Sequence, residues 1–200
     1  MHICYWCGYD RFESAKGYNS ELRPESVLFI WSMWEFDKGG RIQDLLHSLK
    51  YHHLRGVGTE LGYIAGRIFL DRMDADMLQF LDARSPVLVP VPLHASKHRK
   101  RGYNQTMALA EGLAASLNWE LSETSDVERV RRTRTQTGLN TAQRAENLKG
   151  AFEVRNPESF ENHLPVIVDD VFTTGATVYE LASTLSRFGF QCGIITIARA

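Results

Sequence analysis

The stretch VIVDDVFTTGAT, residues 166–177, decides the fold of this chain. An apolar run ends in two adjacent acids, Asp169 and Asp170, and a group of threonines around Gly175 follows directly. A short apolar run bounded by a turn indicates a buried strand, and the segment after the turn has helical character. In open α/β sheets, ligands bind beyond the carboxyl ends of the strands. The stretch therefore predicts a strand that ends at a ligand site.

The turn after the acids is suited to a phosphate group. A helix that begins at its end offers unpaired N–H groups and the positive end of its dipole. Gly175 lets the backbone come close to a ligand, and Thr173, Thr174 and Thr177 add hydroxyl donors. The neighbouring carboxylates repel a phosphate but accept hydrogen bonds from sugar hydroxyls. A ribose 5-phosphate satisfies both halves of the stretch.

Two other interpretations of the same residues remain. Asp169 and Asp170 can be ordinary acids at a strand end, with Thr173 or Thr174 acting as a helix cap. Two acids after a strand also occur in the Walker B element of nucleotide-binding proteins. That element needs a G-x-x-x-x-G-K-[ST] partner, which the sequence lacks, so we reject it.

The rest of the chain alternates helical and strand patterns. Such an alternation predicts an α/β fold with a parallel sheet covered on both faces. Helices are predicted at 41–54, 59–73, 103–117 and 174–189, and strands at 86–93, 127–131, 151–154, 165–170 and 191–200. Residues 95–102 and 132–150 are predicted to be loops, and residues 1–30 to be irregular.

Composition sets further limits. The chain has 200 residues, 44% of them hydrophobic, which is enough for a sizeable core. Its 23 basic and 24 acidic side chains nearly cancel, so only local clusters can favour nucleic acid. We expect no membrane insertion, because the apolar runs are short. Three cysteines and the lack of a signal-peptide pattern favour a reduced, cytoplasmic protein.

Several spaced motifs together resemble the ComF/GntX family of the type I phosphoribosyltransferase superfamily. They are LLHSLKY, VPVPLHASKHRKRGYNQ, RTRTQTGLNTAQRAENLKGAF and VIVDDVFTTGAT, in this order. The resemblance covers roughly residues 36–200. It implies a phosphoribosyltransferase-like domain over 36–200, preceded by a small irregular segment over 1–35 that resembles a degenerate zinc finger.

The resemblance also implies roles for individual residues. Asp169 and Asp170 are the catalytic candidates and would hold the ribose hydroxyls of phosphoribosyl pyrophosphate (PRPP). Residues 173–177 would wrap its 5-phosphate, with magnesium bridging pyrophosphate and ribose oxygens. The pyrophosphate loop would be Pro92, Leu93 and His94, and further phosphate contacts would come from Arg101, Asn104 and Gln105.

Two basic segments are candidates for contact with phosphate or nucleic acid. Residues 97–101 are all basic in type, and residues 129–144 are rich in arginine. In the superfamily, the second region is a mobile loop that closes over the site. Solvated basic loops without a ligand are the alternative.

The amino-terminal cysteines provide only half of a metal site. Cys4-x-x-Cys7 has the spacing of a zinc-ligand pair, but the second pair found in related zinc fingers is missing. Zinc at Cys4 and Cys7 is therefore a weak prediction. The glycines at 56, 58 and 62 have the wrong spacing for a dinucleotide-binding motif, and Lys50 is as much a structural as a functional candidate.

The sequence leaves two functions open. The first is phosphoribosyl transfer from PRPP in nucleotide metabolism, as the superfamily resemblance implies. The second is a non-catalytic role in DNA uptake or competence, with PRPP, nucleotides, single-stranded DNA or the uptake machinery as partners. The acceptor, the pathway and the oligomeric state do not follow from the sequence.

Overall fold

A computed structural model describes residues 24–36, 40–51, 54–133 and 141–200 of the chain. Cys4 and Cys7, and with them the predicted zinc site, lie outside these residues. The described residues form one five-stranded parallel sheet, one two-stranded antiparallel ribbon and seven α-helices.

The elements follow one another in the order expected for an α/β protein. The main sheet contains β1 (Val27–Glu35), β2 (Pro86–Pro90), β3 (Glu120–Leu121), β6 (Leu164–Phe172) and β7 (Cys192–Arg199), and the ribbon contains β4 (Val127–Arg129) and β5 (Phe152–Val154). The helices are α1 (Arg41–Tyr51), α2 (Arg55–Arg72), α3 (Ala75–Asp82), α4 (Ala95–Arg101), α5 (Gln105–Leu117), α6 (Thr141–Leu148) and α7 (Ala176–Ser186), with a 3₁₀ turn at Pro157–Phe160.

Strand β6 lies at the centre of the sheet, as the sequence predicted. The strand order is β1-β7-β6-β2-β3, and all neighbouring pairs are parallel. Alternate residues of β6 enter different cores: Val166 and Val168 pack with α1, α2, α3 and α5, whereas Ile167 packs with α7 and the ribbon. Because both faces of the sheet are covered, the strand needs a continuous apolar run.

The prediction that residues 1–30 are irregular is wrong for residues 27–30, which begin β1. This strand pairs with β7 along its length, with Ile30 opposite Ile194. The hydroxyls of Ser32 and Thr196 lie 2.7 Å apart inside the sheet. The partner strand is the carboxyl-terminal element, so local sequence carried no signal for the pairing.

The basic segment at 95–102 was predicted to be a loop and is instead helix α4 with its terminal glycine. His94 caps its start, since the ring Nδ1 accepts a hydrogen bond from the N–H of Ser96 at 3.2 Å. Gly102 ends the helix in the left-handed region, with φ 75°. The helix buries no residue completely, so no apolar periodicity marked it in the sequence.

The prediction of a loop over 132–150 is wrong for residues 141–148, which form α6; residues 134–140 lie outside the described part of the chain. The helix is mostly polar and is anchored by the fully buried Leu148. Its carboxyl end is held by Arg131, whose Nη2 donates to the carbonyls of Glu146 (3.3 Å) and Asn147 (2.9 Å). A polar helix that is held by contacts with residues far away in the sequence shows little apolar periodicity by which it could be predicted.

Glycines bring helices α2 and α5 into close contact. A Cβ at Gly62 would lie 2.0 Å from the backbone oxygen of Leu109, and one at Gly112 would lie 2.0 Å from that of Thr59. The glycine spacing in α2, which does not fit a nucleotide motif, therefore serves a helix crossing. Helix α2 also starts at Arg55, four residues before the predicted start.

Candidate phosphate and sugar site

The two acids lie in the last part of β6, which continues through Phe172. Asp170 is buried, with 7% of its surface exposed, whereas Asp169 is only partly buried. The N–H of Asp170 donates to Asp169 Oδ1 at 2.9 Å. Adjacent residues of a strand point to opposite faces, so the two carboxylates face different surroundings.

The turn after β6 forms a narrow cleft at the start of α7. Its lining includes Asp169, Thr173, Gly175, Ala176 and Thr177, but not Asp170. The predicted helix start near residues 174–175 is confirmed to within two residues, since α7 begins at Ala176 after Gly175. The structure thus brings one acid and the predicted phosphate turn together.

Two observations in this turn point to a ligand. Gly175 has φ 74°, and a Cβ there would lie 2.5 Å from the ring of Tyr179, so the position suits glycine alone. The Thr174 hydroxyl is buried and has no hydrogen-bond partner among the described residues. A buried hydroxyl without a partner costs free energy that a bound acceptor would recover.

Arg144 of α6 reaches the same turn. Its Nη1 donates to Thr173 Oγ1 at 3.2 Å. Helix α6 is also linked to α7, because the N–H of Gly150 donates to Glu180 Oε1 at 2.7 Å. The arginine-rich segment therefore places one guanidinium beside the predicted phosphate turn.

Lys50 forms an ion pair with Asp170. Its Nζ lies 2.5 Å from Asp170 Oδ2, close enough for strong attraction between the two charges. Burial, the largest cause, opposes ionisation of Asp170, but the charge and hydrogen bond of Lys50 together with the charge of Arg101 hold the pKa of Asp170 below its usual value. Burial also lowers the pKa of Lys50, yet the charges of both acids leave it raised overall. Both groups are therefore charged at neutral pH.

Asp169 has the opposite electrostatics. Burial of the carboxyl, and after it the charge of Asp170, raises the pKa of Asp169 to about 7. The two acids thus differ in ionisation: Asp170 is a carboxylate with its own counter-ion, Lys50. Asp169 changes protonation near neutral pH and faces the cleft.

Three more cations, Lys97, Arg101 and Arg129, lie near the acids or near one another. Burial lowers the pKa of Lys97, and so do the nearby charges of Arg129, Arg101 and Lys50. The Arg129 guanidinium is 9% exposed and lies 5.3 Å from the centre of the Phe152 ring, with Nη2 donating to Thr133 Oγ1. Like charges that lower the pKa of Lys97 would be stabilised by an anion, so the cluster is suited to an anion.

The predicted pyrophosphate loop joins β2 to α4 beside β6. The N–H of Val91 donates to the carbonyl of Val168 at 2.9 Å, which holds the loop next to the central strand. Pro92 and Leu93 line a separate cavity, and His94 caps α4. The loop therefore starts beside the central strand, and its side chains line that cavity or cap α4.

The three predicted phosphate contacts after this loop differ in their surroundings. Asn104 caps α5 and its Nδ2 donates to the carbonyl of Val91, so its amide is structural. Gln105 is buried and accepts from Arg101 Nη1 at 2.9 Å. Of the three, Arg101 alone carries charge toward the acids, since it contributes to the lowered pKa of Asp170.

The sequence patterns did not distinguish Lys97 or Arg129 from their neighbours and left the role of Lys50 open. Lys97 stood within a basic run and Arg129 within an arginine-rich segment, where neighbouring residues look alike. The alternation of Val127 and Arg129 on one face of β4 was an available signal, because a charged residue in an inward position usually has a partner or ligand.

The carboxylates can take part in a magnesium site but do not form one alone. The described residues contain no group of three or more His, Cys, Asp or Glu side chains placed to share a metal. Mg²⁺ commonly binds through one or two carboxylates together with ligand phosphates and water. Asp169, which lines the cleft, fits that arrangement.

In the described part of the chain, helices that combine the length and apolar character needed to cross a bilayer are absent.

The chain is similar to curated proteins named for DNA utilization and for competence, although no family model matches it. It is 37% identical over 147 residues to DNA utilization protein YhgH of Salmonella typhimurium, covering 72% of this chain and 61% of that protein. It is 36% identical over 105 residues to competence protein F of Haemophilus influenzae, covering 52% and 45%. It is 30% identical over 103 residues to competence protein ComFC of Bacillus subtilis, covering 52% and 39%. The chain thus spans less than two thirds of each of these relatives.

Proposed function

Because this chain belongs to the ComF family of competence proteins, we propose that it serves in the uptake or use of DNA and binds a phosphoribosyl ligand at the end of β6. The names of the relatives support the role in DNA use. The ligand is supported by the geometry of the Asp169–Thr177 segment.

The observation that carries the ligand proposal is the turn at Gly175, which suits glycine alone and lines the cleft together with Asp169, Thr173 and Thr177. A phosphate oxygen is a strong acceptor for the hydroxyls of Thr173 and Thr177, which line the cleft, and for the N–H groups at the start of α7. Arg144, already within 3.2 Å of Thr173, would supply a positive charge to the same phosphate.

The sugar and pyrophosphate would extend from this turn toward the acids. Asp169 would accept from ribose hydroxyls, because it lines the cleft whereas Asp170 is paired with Lys50. Lys97, Arg101 and Arg129 would offset the charge of a pyrophosphate group. Magnesium, held by Asp169 and ligand oxygens, would supply further charge neutralisation.

Phosphoribosyl transfer is a second candidate, and the cation cluster favours it. Charges preorganised around a leaving pyrophosphate lower the barrier to its departure. Lys97, Arg101 and Arg129 would stabilise that charge, and the Lys50–Asp170 pair would fix the strand end that carries Asp169.

Titration calorimetry with PRPP tests the ligand. We expect binding in the presence of magnesium, weaker binding of ribose 5-phosphate, and roughly tenfold weaker binding of PRPP to Arg129→Met, from the loss of a charge-assisted contact. Arg187→Met, at an exposed site after α7, is the matched control. If wild-type protein binds neither ligand, the proposal fails.

Pyrophosphate release in the presence of bases and small nucleophiles distinguishes transfer from binding alone. Release that requires an acceptor and disappears in Asp169→Asn would support transfer. If the protein binds PRPP but releases no pyrophosphate with any acceptor, the DNA-related role stands and the transferase activity is contradicted.

A titration with single-stranded DNA over a range of salt concentrations tests the DNA role. Binding through phosphates weakens steeply with salt, because bound counter-ions are released. Absence of binding at low salt would contradict it.

A further inference from the structure

A cavity of about 370 Å³ opens beside the carboxyl end of β2, and its lining includes neither Asp169 nor Asp170. Its volume is within the range of small-ligand pockets. The walls are largely apolar and come from β2, the following loop, α5 and β4: Val89, Pro90, Pro92, Leu93, Met107 and Val127. This cavity is distinct from the cleft at the phosphate turn, with which it shares no lining residue.

The rim of the cavity is polar without an excess of either charge. It carries one carboxylate, Glu123, and one guanidinium, Arg55, which is already paired with Glu111 at 2.6 Å. Ser122 and Thr124 add hydroxyls. The cavity therefore offers no cluster of positive charges that would bind a phosphate. A flat apolar group with hydrogen-bonding edges, such as a nucleobase, matches both the walls and the rim.

An aromatic side chain is held in place at this cavity. The hydroxyl of Tyr103 donates to the carbonyl of Leu49, so its ring is fixed against α1 while it lines the cavity. A fixed aromatic ring is a stacking surface that loses little conformational entropy on binding.

Helix α4 lies at the edge of the same cavity and carries a row of basic side chains. His98 and Gly102 of this helix line the cavity, and Arg99 and Lys100 are exposed beside them. The helix contains no acidic residue. Proteins that bind single-stranded nucleic acid combine a basic track for the backbone with surfaces on which bases stack.

From this combination we propose that the cavity takes one base of single-stranded DNA, whose phosphates lie along α4. A base within a duplex could not enter the cavity without leaving its stack. The proposal rests on the proposed role in DNA use and assigns a location to it.

Fluorescence anisotropy with a labelled thymidine oligonucleotide, and with an abasic oligonucleotide of the same length, tests this assignment. We expect the thymidine oligonucleotide to bind about tenfold more tightly, since stacking of a base contributes at this level. Met107→Trp fills the cavity from α5 and should reduce thymidine-oligonucleotide affinity to the abasic level while leaving abasic binding unchanged. Thr124→Tyr, on the exposed rim, should block the opening of the cavity. This variant replaces Met107→Trp in the experiment if Met107→Trp does not fold.

The replacement of Arg99 and Lys100 by alanine is the complementary variant. It should weaken both oligonucleotides equally and reduce the salt dependence of binding. PRPP binding should be unchanged in every cavity variant, which separates this site from the phosphate turn.

Three outcomes would overturn the proposal. Equal affinity for the two oligonucleotides would remove the base site while leaving the DNA role intact. Free thymidine that competes as well as the oligonucleotide would identify a nucleoside site instead. Absence of binding to either oligonucleotide would remove the DNA role and this proposal together, and PRPP calorimetry would then decide the phosphoribosyl site separately.

Discussion

The ammonium of Lys50 lies 2.5 Å from Asp170 Oδ2 and joins the end of the first helix to the central strand. The carboxylate is buried, so removal of the ammonium would leave a charge in the interior without compensation. The pair therefore stabilises the fold at the same place where the ligand site begins. Asp170 is therefore a buried, paired acid and not a solvated acid at a strand end.

Substitution of Lys50 by methionine should destabilise the protein by about 2–4 kcal/mol at neutral pH, somewhat below the usual cost for a fully buried pair. Because folding lowers the pKa of Asp170, its carboxylate stabilises the fold fully at pH values above the pKa in the unfolded chain, about 3.9. This stabilisation is lost as the pH falls through the pKa in the folded protein. Because folding raises the pKa of Lys50, its ammonium stabilises the fold fully at pH values below the pKa in the unfolded chain, about 10.4. This stabilisation is lost as the pH rises through the pKa in the folded protein. Urea denaturation across this range measures the effect.

The double variant Lys50→Met with Asp170→Asn is the control. It removes both charges and should recover much of the lost stability. A double variant as unstable as Lys50→Met alone would show that packing of the lysine stem, and not the ion pair, stabilises this region.

Asp169 should make the protein less stable as pH rises from about 4 to about 7. Its pKa is raised from an unfolded value of about 3.9 to about 7 when folded, so the folded state binds the extra proton in this window. Asp169→Asn should abolish that slope and stabilise the protein at pH 8, on the order of 2 kcal/mol. Melting temperature as a function of pH measures both, and an unchanged slope in the variant would contradict the assignment.

Gly175→Ala should weaken binding of PRPP and cost about 1 kcal/mol of stability. The residue has φ 74°, which disfavours any side chain, and the new Cβ would lie 2.5 Å from the Tyr179 ring beside the cleft. Gly189→Ala is the matched control, because Gly189 has φ 86° with open space around it. Calorimetry on both variants should show lost affinity only at 175. Equal affinity in the two would exclude a phosphate at this turn.

Gly62→Ala should destabilise the protein by about 2 kcal/mol or more, although alanine is the better helix former. Its Cβ would lie 2.0 Å from a backbone oxygen of α5, and backbone cannot move aside as a side chain can. Gly56→Ala in the same helix meets no atom within 4 Å and should stabilise by roughly 0.5 kcal/mol. If thermal denaturation shows the same change for both variants, the close crossing of α2 and α5 is absent in solution.

The sequence by itself determined the central strand and the turn that follows it. The run through Val168 requires burial on both faces, and Gly175 marks the one backbone conformation that opens α7. These are local consequences of apolar periodicity and of glycine geometry, so they could be predicted from neighbouring residues alone.

Only the tertiary structure decided which residues meet at the end of that strand. Lys50, Lys97 and Arg129 come from separate elements, and pairing across the sheet made residues 27–35 a strand. The division between Asp169 and Asp170 arises from burial and from the position of a single ammonium group. Coulombic and desolvation effects depend on distance in space rather than along the chain, so no pattern within VIVDDVFTTGAT could contain them.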